Sequence, residues 1–312
     1  LARFTTSARW MGWQLNDDCS VSTLLERFDQ TDRLIKLMWR PLCIAALNTS
    51  IEQASAQIFL NVLRDSLGAQ RSASDMLLPR IDLGALFPEQ AAQYVRVREG
   101  RVICGTSVKA IHRENQSWQL VLHTGQTESF NGVVIATSAS AASQLSNSID
   151  GMVLPSLDFE PITTCYLQYA HGTQLSSPMY ALVDDPDKQH WGQFVFDRGQ
   201  LQADQNGLLA VVISTAAHAA NLTQDELAAL IAAQLATAFK KKELTTPEWA
   251  QVITDKRATF SCTPALARAK EETAYENLVL AGDYLDSPYP ATLESAIRSG
   301  RQAASLLIAQ LS

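Results

Sequence analysis

None of the fourteen glycines in this 312-residue chain forms a G-x-G pair. The fingerprint that cradles a dinucleotide pyrophosphate is therefore missing, and so is a Walker A loop. G-x-S-x-G is absent too, which argues against the nucleophile elbow of the α/β-hydrolases. The five histidines (His112, His123, His171, His190, His218) show neither H-x-H nor H-E-x-x-H spacing, so a metal site would have to be assembled from scattered residues. Five cysteines (Cys19, Cys43, Cys104, Cys165, Cys262) make an odd total with no C-x-x-C, the usage of reduced thiols in a cytosolic protein. No apolar run approaches the ~20 residues needed to span a bilayer, and GLLAVVIS at 207–214 suits a buried strand. Clustered positive charge is also scarce. A net charge of −7 argues against nucleic acid as a partner, and the one basic run, Lys240 to Lys242, fits a helix C-terminus. There is no initiator methionine and no signal-peptide core. LARFTTSARWMGW reads as an amphipathic helix, and Leu1 as an internal position of a longer protein.

What is present falls into blocks. Residues 1–85 carry helical periodicity: VSTLLERF and TDRLIKLMWRPL have Ser22 or Thr31 as N-caps and Pro41 as a breaker, and IEQASAQIFLNVLRDSL stops at Gly68. SDMLLPRIDLGALFPEQAAQYVRV reads as a loop feeding another helix. The period then changes. RVICGTSVKAIHR, SWQLVLHTG and SFNGVVIATS read as strands, as do PITTCYLQYA, SPMYALV, HWGQFVFDRG and GLLAVVISTAA. TQDELAALIAAQLATAFK opens on a capping box, Thr223 with Glu226, and places Leu227, Leu230, Ile231 and Leu235 on one face. NLVLAG and a helix from about Thr292 close the chain.

The last of these segments, LVLAGDYLDSPYPATLESAIRSG, carries the chemistry. A strand ending at Gly282 and Asp283 can bring backbone close to a ligand and offer a carboxylate to its hydroxyls. The free N–H groups at the start of the following helix favour an anionic group. Ala296, Ser299, Gly300 and Ala303 keep that helix thin enough to lie on a sheet. A generic strand, turn and helix at a domain end explains the same residues.

LAGDYLDSPYPATLESAIRSGRQAA closely resembles the C-terminal FAD motif of the flavin-containing amine oxidase and carotenoid desaturase superfamily. The resemblance implies that Gly282 and Asp283 lie by the pyrophosphate and ribityl chain, and Thr292, Leu293 and Glu294 by the isoalloxazine. LMWRPLCIAALNTSIEQASAQIFLNVLRDSL and SASDMLLPRIDLGALFPEQAAQYV are similar to the squalene-associated FAD-dependent desaturases, the hydroxysqualene dehydroxylases of bacterial hopanoid synthesis. RVICGTSVKAI resembles the strand whose backbone near Val108 pairs with adenine, and GVVIATS the turn that sets Ala136 near the cofactor. The family's N-terminal glycine-rich βαβ unit has no counterpart in these residues. The expectation is thus of a truncated piece that binds FAD weakly or not at all until that unit is restored.

The resemblance implies an α/β protein: a partial Rossmann-like FAD-binding domain, residues 86–142 with 273–312, and a helical and mixed-sheet substrate domain, residues 1–85 with 143–272. The implied reaction is reductive removal of an allylic hydroxyl from hydroxysqualene to give squalene, which needs an acid and a long dry tunnel. Trp39, Leu42, Leu47 and Phe59 are candidates for that tunnel, or for a plain core. Asp82 and Asp75, flanking Arg80 among apolar neighbours, are candidates for the acid through partial desolvation; the rival reading is that Asp75 caps a turn or helix and Arg80 pairs with Asp82 structurally. The partner expected is a long apolar isoprenoid met in the cytoplasm or at a membrane periphery. A carotenoid desaturase or amine oxidase-type flavoenzyme, and a cofactor-free lipid- or protein-binding module, are the alternatives.

Overall fold

The computed structural model describes residues 2–216 and 221–312. Leu1, read above as an internal position, and Ala217 and His218 lie outside the described residues. In chain order come helices α1 (Ala2–Trp10), α2 (Val21–Arg27), α3 (Asp32–Leu34), α4 (Arg40–Leu47), α5 (Ala56–Asp65), α6 (Leu83–Leu86) and α7 (Pro88–Val97). Strands β1 (Val108–Glu114), β2 (Ser117–Leu122), β3 (Thr127–Phe130) and β4 (Val133–Ile135) precede α8 (Ala139–Ser146). Then follow β5 (Phe159–Gln168), β6 (Met179–Ala181), β7 (Phe194–Asp197), α9 (Arg198–Leu201), β8 (Leu208–Ser214), α10 (Gln224–Phe239), β9 (Trp249–Phe260), β10 (Leu278–Leu280) and α11 (Leu293–Leu311).

These elements form two compact units, Leu1–Val97 with Phe159–Pro264, and Arg98–Asp158 with Ala265–Ser312. The boundaries differ from those expected after residues 85, 142 and 272. A cut after 142 would divide α8, and the turn beyond that helix is fastened to β1. Ile111 N–H donates to Ser148 Oγ at 2.8 Å, and Ser148 Oγ lies 3.1 Å from Ile111 O.

In the first unit the helix starts follow their caps. Ser20, rather than Ser22, accepts from Thr23 N–H to begin α2, and Thr31 caps α3. Pro41 does not break its helix. A π-helical stretch, Ile35–Trp39, joins α3 to α4, with Arg40 N–H reaching back to Ile35 O, so the widened turn accommodates the N–H that proline lacks. Trp39, Leu47 and Phe59 are all 1% exposed or less. Phe4 and Phe59 pack edge-on against Trp39, which makes these residues core and not a tunnel wall. Gly68 lies past the end of α5 at a close approach, since a Cβ there would come within 2.6 Å of the Trp13 ring.

The sheet of this unit runs β6-β7-β8-β5-β9. Every pairing in it is antiparallel, where a mixed sheet was expected. The odd-numbered side chains Cys165, Leu167, Val195, Leu209, Val211 and Ile213 turn to one face and pack on Leu227, Ile231 and Leu235 of α10, each such burial contributing about 1.5–3 kcal/mol. The capping box at Thr223 and Glu226 begins α10. Thr164, Tyr166, Ala210, Val212 and Phe196 alternate onto the other face. Asn48, buried and left-handed at φ 46°, accepts from Thr215 N–H at 2.8 Å and donates to Thr259 Oγ1 at 2.9 Å, which fixes the end of α4 to the sheet.

In the second unit β4 and β10 pair in parallel, Ile135 opposite Leu280. A three-stranded antiparallel meander, β1-β2-β3, accompanies them. Trp118 is fully buried in it, and its indole donates to Glu276 O at 3.1 Å. Helix α11 lies on β10 along Ser295, Ser299 and Ala303, one residue every four. Ser295 joins the face read from sequence, whereas a Cβ on Gly300 would meet nothing within 4 Å. Small side chains at this seam let helix and strand backbones approach.

Candidate active site

The carboxyl ends of two neighbouring parallel strands are built for ligands, because backbone leaves the sheet there and helix N-termini face the gap. After β10 the chain turns at Gly282 and Asp283. Gly282 N–H donates to Ser299 Oγ at 2.9 Å, and the same oxygen lies 2.9 Å from Gly282 O. Ser295 Oγ donates to Asp283 O at 3.4 Å, and Thr292 caps α11 by accepting from Ser295 N–H. Gly282, Asp283 and Thr292 thus form one local turn. Leu293 and Glu294 occupy the exposed first turn of α11, with Leu293 68% exposed and Glu294 paired to Arg298 at 2.6 Å.

Burial raises the pKa of the Asp283 carboxyl, against hydrogen bonds from its own N–H and that of Tyr284. Burial, with the Asp283 charge, pushes Tyr284 up to about 12. The Tyr284 hydroxyl is buried with no partner among the described residues. Gly282 has a local reason for lacking a side chain, since a Cβ would stand 2.3 Å from the Tyr284 ring.

Val108 and Ala136 come together in a second place. A cavity of about 540 Å³ is walled by β1 (Val108, Ile111), by the β4 strand and turn (Val133 to Thr137) and by α8 (Ala141, Gln144, Leu145), with Lys109 the charged residue on its wall. Ala281 N–H donates to Ile135 O at 2.9 Å. Ala136 and Gly282 therefore leave the parallel pair at the same end. A desolvated carboxyl, an unpartnered phenol, helical N–H groups and an apolar slot with one cation fit a cofactor that carries hydroxyls, an anionic diphosphate and aromatic rings.

The proposed acid site divides. Asp75, Arg80 and Asp82 are all exposed, so the partial desolvation expected of them is absent: the segment runs along the surface, away from the core. Asp82 caps α6, its Oδ1 accepting from Ala85 N–H at 2.9 Å, which leaves Oδ2 for a ligand. Among the described residues no ion pair joins Arg80 to Asp82. Of the three, Asp82 alone lines the pocket of about 450 Å³ on the open face of the antiparallel sheet, with Leu78, Ile81, Thr164, Tyr166, Phe196, Arg198 and Val212. Tyr166 and Arg198 were not anticipated. The period of two along PITTCYLQYA put Thr164 and Tyr166 on one face, but nothing in the sequence marked that face as open.

A parallel strand pair followed by a strand–helix turn in one unit, and an antiparallel sheet with one open face in the other, make the chain an α/β protein. It belongs to the flavin containing amine oxidoreductase family, which residues 27–308 match. FAD is the cofactor this membership supports. Two curated relatives, from Rhodopseudomonas palustris and Zymomonas mobilis, are named hydroxysqualene dehydroxylase. Each is 28% identical, over 89% and 87% of this chain. The chain covers 62% and 63% of those relatives, less than two thirds of their length. Cyclohexylamine oxidase from Brevibacterium oxydans shares the fold, with a TM-score of 0.69 at 14% identity over 100% of this chain and 75% of that one.

Proposed function

We propose that the chain is the greater part of an FAD-dependent oxidoreductase acting on a long isoprenoid, by reductive dehydroxylation of hydroxysqualene to squalene. The observation that carries this reading is the similarity, along almost nine tenths of the chain, to relatives that are named for that reaction. The pocket on the antiparallel sheet supports it: apolar walls suit a hydrocarbon, and a few polar groups suit one oxygen.

Gly282, Asp283, Thr292, Leu293 and Glu294 would hold the cofactor at the strand–helix turn, and Val108 and Ala136 at the cavity beside β4. When bound, FAD supplies the hydride equivalent for the reduction. The chain's own part is to bind the isoprenoid, exclude water along it and serve the leaving oxygen with a proton. Asp82, at the pocket and in contact with solvent, is placed to move that proton through Oδ2; Arg80 and Asp75 stand on the same segment. Met76, Leu77, Leu86 and Phe87, exposed on or beside that segment, support a peripheral membrane contact through which an insoluble substrate arrives. No helix of the described residues is long and apolar enough to cross a membrane.

Incubation of a full-length homologue with hydroxysqualene and reduced FAD, and separately with phytoene and oxidised FAD, tests the reading. Squalene formed from hydroxysqualene is the expected product. Desaturated phytoene with no squalene would move the chain to the carotenoid desaturases.

A further inference from the structure

Arg198 closes one side of the pocket on the open sheet face. A half-buried guanidinium ordinarily takes a carboxylate. This one takes two neutral side chains instead: Nε donates to Gln205 Oε1 at 2.8 Å and Nη2 to Gln202 Oε1 at 3.1 Å. It forms no ion pair among the described residues. Two amide oxygens fix the plane of the fork without neutralising its charge, and of five N–H donors they leave three for something else. The other charged residue lining this pocket is Asp82. An anionic ligand would be repelled by Asp82, and an amine by Arg198. A hydroxyl suits both, since its oxygen accepts from a guanidinium and the group can also share a hydrogen bond with the Asp82 carboxyl in either direction. The remaining walls, among them Leu78, Ile81, Phe196 and Val212, are apolar.

We propose that Arg198 holds the hydroxyl oxygen of a hydroxylated isoprenoid and so makes the pocket prefer alcohol over hydrocarbon. This rests on the dehydroxylase reading above. No proton leaves the guanidinium; it acts as a hydrogen-bond donor and a fixed positive charge beside the oxygen. The same contact separates substrate from product. The hydrocarbon product cannot use it and leaves an oriented donor unpaired, which weakens its binding relative to the substrate.

The test measures binding by the purified 312-residue chain, with no flavin needed: hydroxysqualene and squalene, each dispersed in the same detergent, compete for the pocket. The parent chain is expected to bind the alcohol about tenfold more tightly than the hydrocarbon, the ratio for one charge-assisted hydrogen bond. Arg198→Met should abolish that ratio by weakening the alcohol, while squalene affinity holds or rises because no donor is left unpaired. Arg198→Lys should retain part of it, and Gln205→Leu, which frees the fork, should lower it. Unfolding profiles of all three should match the parent. An undiminished preference in Arg198→Met, or an equal loss of both ligands, would overturn the anchor while leaving the isoprenoid reading in place. A parent chain that binds neither compound would overturn both.

Discussion

Gly282 and Ser299 hold each other at both polar ends of one residue: the glycine N–H donates to Ser299 Oγ at 2.9 Å, and the same hydroxyl lies 2.9 Å from the glycine carbonyl. Ser299 is 4% exposed and one of the small residues along which α11 meets β10. Replacing it by alanine leaves a partly buried N–H without this partner, a loss of about 1 kcal/mol. Ser299→Ala should lower the melting temperature of the chain by roughly 2–4 °C per kcal/mol lost, measurable by calorimetry. An unchanged melting curve would show that the turn does not depend on this tie.

Gly282 itself is constrained from the other side. A methyl group there would stand 2.3 Å from the Tyr284 ring, far inside contact distance, so Gly282→Ala should destabilise by about 1–3 kcal/mol through overpacking. The double variant Gly282→Ala/Tyr284→Leu tests the cause. If the ring is what the methyl meets, the second change should recover much of the loss. Equal destabilisation with and without the ring would point instead to the backbone.

The two regions of the chain were legible to different degrees for physical reasons. Caps and amphipathic faces are local, so Thr31, the Thr223–Glu226 box and the α10 face could be read directly. Strand β9 was missed. It is an edge strand whose middle, Asp255, Lys256 and Arg257, is exposed, so it lacks the apolar alternation that reveals strands buried on one face. Pro41 was misread because the compensating π turn depends on the helix continuing, which no local signal states. Arg198 ends a strand in FVFDRG and looks like any surface cation. Its distinction, two glutamines in place of a carboxylate over an open sheet face, arises only when α9 folds. Val108 and Ala136 are separated by 28 residues (136 − 108), and physics alone would not have joined them; resemblance named them, and the cavity beside β4 brings them together.

Asp283 gives a dependence on pH. Burial raises its pKa, although two backbone N–H groups oppose the shift. A native pKa above the unfolded value means that the protonated form is favoured in the folded state. Its stabilisation is complete below the unfolded value, about 3.9, and disappears as pH rises through the native one. Asp283→Asn removes the titration but keeps an oxygen to accept both N–H groups. The variant should therefore melt above the parent at pH 7, with the gap closing below about pH 4. A gap that widens in acid would mean the carboxylate is stabilised by its surroundings and that hydrogen bonding outweighs burial.

Asp82 serves at once as a helix cap and a lining residue of the pocket, and the two roles separate by substitution. Asparagine caps a helix about as well as aspartate, so Asp82→Asn should leave unfolding unchanged within about 0.5 kcal/mol, while Asp82→Ala should lose the Ala85 bond and roughly 1 kcal/mol. If the carboxyl moves the proton to the departing oxygen, Asp82→Asn in a full-length homologue should reduce hydroxysqualene turnover by about 10²–10⁴-fold, the usual contribution of a positioned acid. KM should change little, because the amide still presents an acceptor to the pocket. Full turnover in Asp82→Asn with reduced stability in Asp82→Ala would assign this residue to the cap alone. The search for the acid would then move to Tyr166, whose strand position places it on the same open face.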